Sequence, residues 1–133
     1  MEKVVLFVLL STISCSNTNC NWKGGEIVDF GEYCNEDFKI TVYREDNYLR
    51  YEVRNNTDMV IIRQDMNISI HQHWGFFLDS KKNFWVFSSD VGDCIWEKDS
   101  ATDNYSKRVF YHKLSKEEVP KEIFESKLRR FLY

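Results

Sequence analysis

Residues 38–54 read FKITVYREDNYLRYEVR, and the fold class follows from this stretch. Phe38, Ile40 and Val42 alternate with polar residues, and so do Leu49, Tyr51 and Val53. Side chains two apart share one face of a strand, so each run has an apolar face to bury and a polar face to wet. Glu45, Asp46 and Asn47 interrupt the alternation with side chains that suit a turn. Two such runs around a short polar break predict an antiparallel hairpin.

Further along, turn clusters and apolar runs keep alternating. Residues 55–58 form a polar turn, 59–62 a strand, and 68–78 hold Ile68, Ile70, Trp74, Phe76, Phe77 and Leu78. Turns at 80–83 and 88–93 bracket a strand at 84–87, and a further strand follows at 94–97. Residues 98–106 are polar and read as a loop, and 108–112 as the last strand. Ten Phe, seven Tyr and four Trp suit a pleated surface. The spacing predicts a mainly β fold: an antiparallel sandwich or small barrel-like sheet. After Pro120 the period changes. Ile123, Phe124, Leu128, Phe131 and Leu132 fall on one helical face, predicting a helix over 120–132 packed on the sheet.

A length of 133 residues predicts one domain, placed at residues 26–133. The net charge is −3 and the pI about 5.6, without a basic stripe, which argues against nucleic acid as a partner. Lys127, Arg129 and Arg130 are basic together, as the end of a helix favours.

The N-terminus is built differently. Met1-Glu-Lys3 precedes the apolar run 4–10, which is too short for a bilayer span of ~20 residues but has signal-peptide length. Residues 1–14 are therefore expected to be an export signal. The sequence Thr12-Ile-Ser-Cys15 resembles the lipobox of bacterial lipoproteins: Ile13 and Ser14 fit the two positions before the Cys, and Thr12 replaces the usual Leu. The resemblance implies acylation of Cys15 and attachment to a membrane through lipid, each buried CH₂ contributing ~0.8 kcal/mol. With Ser16 next and no acidic retention signal, it implies the periplasmic side of a bacterial outer membrane; without acylation the chain is secreted. Residues 15–25 then read as the lipidated Cys and a polar tether.

Cysteine use in an exported chain suggests a disulfide. Cys34 and Cys94 both fall within the predicted fold, so a Cys34–Cys94 bridge is expected, closing about 60 residues and contributing ~3–4 kcal/mol. Cys20 would be free or compete for either. No C-x-x-C occurs, and no Gly-rich phosphate loop.

Candidate chemistry is sparse. His71 and His73 are two apart and would share a strand face, so both could reach one metal, with Asp65, Asp79 or His112 as a further ligand. Ser88-Ser-Asp-Val-Gly is not a nucleophile elbow, and Asp90 and Asp93 flank Gly92 in a turn. No catalytic residue and no cofactor are assigned. The aromatic stretch 74–96 offers Trp74, Phe76, Trp85 and Trp96 as anchors for a protein partner, unless two layers bury them.

These features suggest a non-enzymatic, lipid-anchored module that binds an exported protein, a toxin or a cell-wall hydrolase. In size, leader and cysteine use the chain is similar to small exported inhibitors and immunity proteins. Tyr33-Cys34 ahead of a hairpin resembles lysozyme-inhibitor lipoproteins, but their Ser-Gly-x-x-Tyr inhibitory motif is missing. The alternative is an envelope metal- or small-ligand-binding protein using His71 and His73.

Overall fold

The computed structural model describes residues 20–133. The leader, Cys15 and the start of the tether lie outside the described residues. The predicted hairpin is present as β3 (Phe38–Glu45) and β4 (Tyr48–Asn55), paired in register from Phe38↔Asn55 to Glu45↔Tyr48. Asp46 takes a left-handed backbone (φ 55°) in the two-residue turn, a conformation Asp tolerates better than most residues.

The chain is mainly β, with two antiparallel sheets packed face to face. One carries β2 (Gly31–Cys34), β3, β4 and β5 (Val60–Arg63) in that order, with β6 (Ile68–Ser69) also on β4. The other runs β1 (Gly25–Ile27), β7 (Trp74–Leu78), β8 (Phe84–Ser88), β9 (Cys94–Lys98) and β10 (Tyr105–Val109). Between β5 and β6 the Gln64 side chain substitutes for a strand, its Oε1 accepting the Tyr51 N–H at 3.0 Å.

Ile40, Val42, Leu49, Tyr51 and Val53 from one sheet meet Phe76, Phe84, Val86 and Cys94 from the other in a shared core. Tyr51 and Phe76 rings lie 5.0 Å apart, and Phe76 stacks on Phe84 at 5.4 Å. A third layer covers the far face of the β7–β8–β9 sheet. There Phe77, Trp85, Phe87 and Ile95 meet Leu114, Val119, Ile123, Leu128 and Phe131. Both faces of β7 and β8 are thus covered, which explains their near-continuous apolar sequence. Phe76 and Trp85, expected as partner anchors, are buried core residues instead.

The covering layer is not the single helix 120–132. It consists of α1 (Lys121–Phe124) and a 3-10 helix (Lys127–Phe131). Ile123 and Leu128 are five residues apart, a spacing that an unbroken 3.6-residue period would splay to different faces. A break at Ser126 turns both inward, and its Oγ holds the break by donating to the Ile123 carbonyl at 2.7 Å and accepting from Leu128 N at 3.1 Å.

The disulfide also differs from expectation. Cys34 pairs with Cys20, and Cys94 is a free, buried thiol. Cys94 faces the inter-sheet core, whereas Cys34 ends β2 opposite Lys39, on the other side of its sheet. Residues 20–25 are not a loose tether: Trp22 N–H donates to the Cys34 carbonyl at 3.0 Å, the Trp22 ring packs on Tyr33 at 5.7 Å, and β1 starts at Gly25. The last strand begins at Tyr105 rather than 108 and ends at Val109; Phe110 stays half-buried, its N–H donating to the Asp93 carbonyl at 3.0 Å, and 111–113 leave as an exposed bend.

Candidate functional site

Strand direction gathers one set of loops at one end of the sandwich. β1, β3, β8 and β10 finish there, and β2, β4, β7 and β9 start there, as Gly31↔Val42, Trp74↔Ser88 and Val109↔Cys94 record. The loops at this end are 28–30, 46–47, 70–73, 89–93 and 110–113. Of the six large apolar or aromatic side chains left exposed among the described residues, Phe30 (45%), Tyr43 (42%), Tyr48 (39%) and Tyr111 (94%) lie here. Met59 is at the opposite end, and Tyr133 is the last residue. Phe30 leans on half-buried Trp74 with ring centres 5.1 Å apart, and Arg50 covers Tyr48 at 5.3 Å.

A cleft of about 500 Å³ opens at this end, between the 88–93 loop, the 111–113 bend and the 3-10 helix. Its walls include Asp93, Phe110, Tyr111, His112, Lys113, Arg130 and Phe131. The loop is held rigidly. Ser88 Oγ accepts from Asp90 N at 3.1 Å and from Val91 N at 3.2 Å, and Gly92 N–H donates to the Ser88 carbonyl at 3.0 Å. Gly92 takes φ 87°, which suits glycine. Asp93 Oδ1 accepts from Ser88 N at 3.1 Å. Burial pushes the Asp93 carboxyl up to about 6, against the opposing pull of that hydrogen bond and of Lys113. At the rim His112 Nε2 meets Glu118 at 2.8 Å, and hydrogen bonds from Ser115 and His112 hold the Glu118 carboxyl below its usual range.

The expected metal ligands are dispersed. His71 and His73 lie in the turn before β7, not on a strand, so the two-residue spacing does not align them on a face. Arg130 Nη2 stands 2.7 Å from His73 Nδ1 and 3.0 Å from its Nε2, placing a cation where a metal would have to bind. Asp65 is ion-paired with Lys107 at 2.7 Å, and His112 faces Glu118. Asp79 is buried and accepts from Lys81 N and Asn83 N at 2.9 Å and from the Trp85 indole at 3.0 Å. Among the described residues no three His, Cys, Asp or Glu side chains gather as a metal site would.

Of the expected partner anchors, only Trp74 belongs to the open end. Trp96 is half-buried, its indole N–H donating to the Tyr51 hydroxyl at 3.2 Å with Lys107 laid over its ring at 5.8 Å. The residues missed were Phe30, Tyr43, Tyr48 and Tyr111, with Asp93, Lys113 and Arg130 in the cleft. Arg130 read as a helix-end charge and Asp93 as a turn former. Nothing in the sequence singled out Tyr111: it continues the two-residue spacing of Tyr105, Lys107 and Val109 and so read as part of the last strand.

Fold and geometry together define a class, the antiparallel β-sandwich with an open, tyrosine-bearing loop end and a helical cover on one sheet. Comparison with family models, curated proteins and solved structures found no match.

Proposed function

We propose that this chain is an exported, lipid-anchored protein-binding module that neutralises an exported toxin or cell-wall hydrolase, and that it takes this partner at the loop end. The observation that carries the reading is the asymmetry of aromatic exposure. The strand aromatics at 76–77 and 84–87 are packed away, while Phe30, Tyr43, Tyr48 and Tyr111 stay exposed together. Tyr supplies large contact area at low entropic cost, and loops clustered at one end of a sandwich are a recurring binding arrangement. The lipobox-like leader and the Cys20–Cys34 bridge support an oxidising envelope compartment, and acylated Cys15 would hold the module on the periplasmic side of the outer membrane.

The test is affinity capture from the exported fraction of the source cell, with the mature chain as bait. The expected result is one protein at 1:1 stoichiometry whose hydrolytic or toxic activity falls when the module is added. A Tyr48→Ala/Tyr111→Ala variant should lose roughly a hundredfold or more in affinity, since two exposed anchors are removed. A captured protein whose activity is unaffected by the module would contradict the inhibitory role.

A further inference from the structure

The N-terminal segment leaves the sandwich at the end opposite the exposed tyrosines. β1 starts at Gly25 beside Leu78, and β2 closes at Cys34 beside Lys39, each at the far end of its strand from Phe30 and Tyr48. Lys23, Gly25, Asn35, Asp37 and Lys82 line one cleft there, and Lys82 is ion-paired with Asp37 at 3.4 Å. Cys20 is bonded to Cys34 at this same end. Neither cysteine belongs to the inter-sheet core; what their bridge fixes is the point where the chain departs toward Cys15. Lengths decide the consequence. From Cys15 to Cys20 the chain takes five steps, a reach of at most ~18 Å however those residues are arranged. The eight-residue β3 spans ~26 Å between the two ends. With the bridge closed, the tether is therefore shorter than the sandwich. With it open, the first strand residue is Gly25, ten steps from Cys15, and a reach of ~35 Å exceeds that length. Beside the bridge, Trp22 ties the segment through one hydrogen bond and one ring contact, which open locally far more easily than a covalent bond.

We infer that the Cys20–Cys34 bridge is a tether clamp that holds the lipid-anchored module with its tyrosine-bearing end away from the bilayer. That end cannot turn face-down on the membrane, so it takes a protein partner from the aqueous side and not one embedded in the same membrane. The inference rests on the lipid-anchored, protein-binding reading and adds the side from which the partner comes. Charge does not supply the orientation instead. The loops at the anchored end carry both signs, as Lys81 and Lys82 beside Asp99 and Asp103 illustrate, so a charged bilayer surface would not draw that end down.

The experiment places the acylated mature chain in lipid nanodiscs carrying a gadolinium-chelating headgroup and reads the loss of backbone amide signal by NMR. Gadolinium broadens nearby nuclei and spares distant ones. The inference expects residues 35–37, 80–82 and 99–104 to lose signal and residues 28–30, 46–47 and 110–113 to keep it. A Gly/Ser insertion of about ten residues after Asn19 leaves the bridge intact and adds up to ~35 Å of reach, so signal loss should spread to the tyrosine-bearing end. A Cys20→Ser/Cys34→Ser variant should spread it likewise, and the insertion decides alone if that variant does not fold. Three results would each overturn the inference: signal loss at the tyrosine-bearing end of the natural chain, a pattern that the insertion leaves unchanged, or one that a folded bridge variant leaves unchanged. The mass of the starting material separates the two failures. An unacylated Cys15 removes the lipid anchor and the clamp with it, whereas an acylated chain that loses signal at the tyrosine-bearing end removes the clamp alone.

Discussion

Two carboxylates show how little residue type alone decides. Asp79 and Asp93 both sit at turns; by sequence Asp79 was a possible metal ligand and Asp93 a turn former. Asp79 closes the β7–β8 turn, and its three hydrogen bonds tie two backbone N–H groups and the buried Trp85 indole. Asp79→Ala leaves that indole without an acceptor inside the fold, so a loss of about 2–4 kcal/mol is expected in urea unfolding. Asp93 works in the opposite sense. Its folded pKa, about 6, lies above the ordinary 3.8, so the folded chain keeps a proton that the unfolded chain has released. Stability therefore falls as pH rises from about 4 to 6 on account of this group. Asp93→Asn keeps the oxygen that accepts from Ser88 and removes the charge. It should match the natural chain near pH 4 and exceed it at pH 7 by about 1–2 kcal/mol after allowance for solvent screening. Urea midpoints at the two pH values measure this difference, and an unchanged gap would mean that the carboxylate is not destabilised by burial.

At the scale of elements, alternation did most of what sequence reading can do. The β3–β4 hairpin, β8 and β9 were legible because apolar residues either alternate or run unbroken between turn formers. The short strands β1, β2 and β6 were not, because two to four residues carry too little pattern. The helix over 120–132 was misread for a physical reason: five apolar positions fit a helical face only if the Ile123–Leu128 interval is overlooked. The seat of this cover depends on Gly75, where a Cβ would collide with Leu128 Cδ2. Leu128 is fully buried and has nowhere to move, so Gly75→Ala should cost about 1–3 kcal/mol by overpacking. A Gly75→Ala/Leu128→Ala pair should be less damaging than the sum of the two single changes, because the methyl then occupies vacated space. Chemical unfolding of the three variants forms the cycle, and additive losses would show that Leu128 does not sit on Gly75.

For the whole molecule, the layers explain what the sequence concealed. The aromatic run 74–96 looked like an interface because composition does not record how many faces of a strand are covered. With one sheet on one side and the C-terminal segment on the other, Phe76 and Trp85 are interior, and the exposed aromatics of the open end come from elsewhere: Phe30 and Tyr111 from loops, Tyr43 and Tyr48 from the ends of β3 and β4 beside their turn. Convergence of residues 30, 48 and 111 at one end is a property of strand order, which no local pattern encodes. The same holds for the bridge: Cys20 meets Cys34 because the chain folds back beside β2, and the 14-residue separation gives ~3 kcal/mol by loop closure. Cys94 stays apart in the core, its thiol pushed up to about 11 by burial.

Hydrogen–deuterium exchange on the captured complex tests the central claim most directly. If the tyrosine-bearing end is the working surface, protection on binding falls on residues 28–30, 46–48, 70–73 and 110–113. Protection confined to the opposite loops, at 56–59, 80–82 and 99–104, would contradict it.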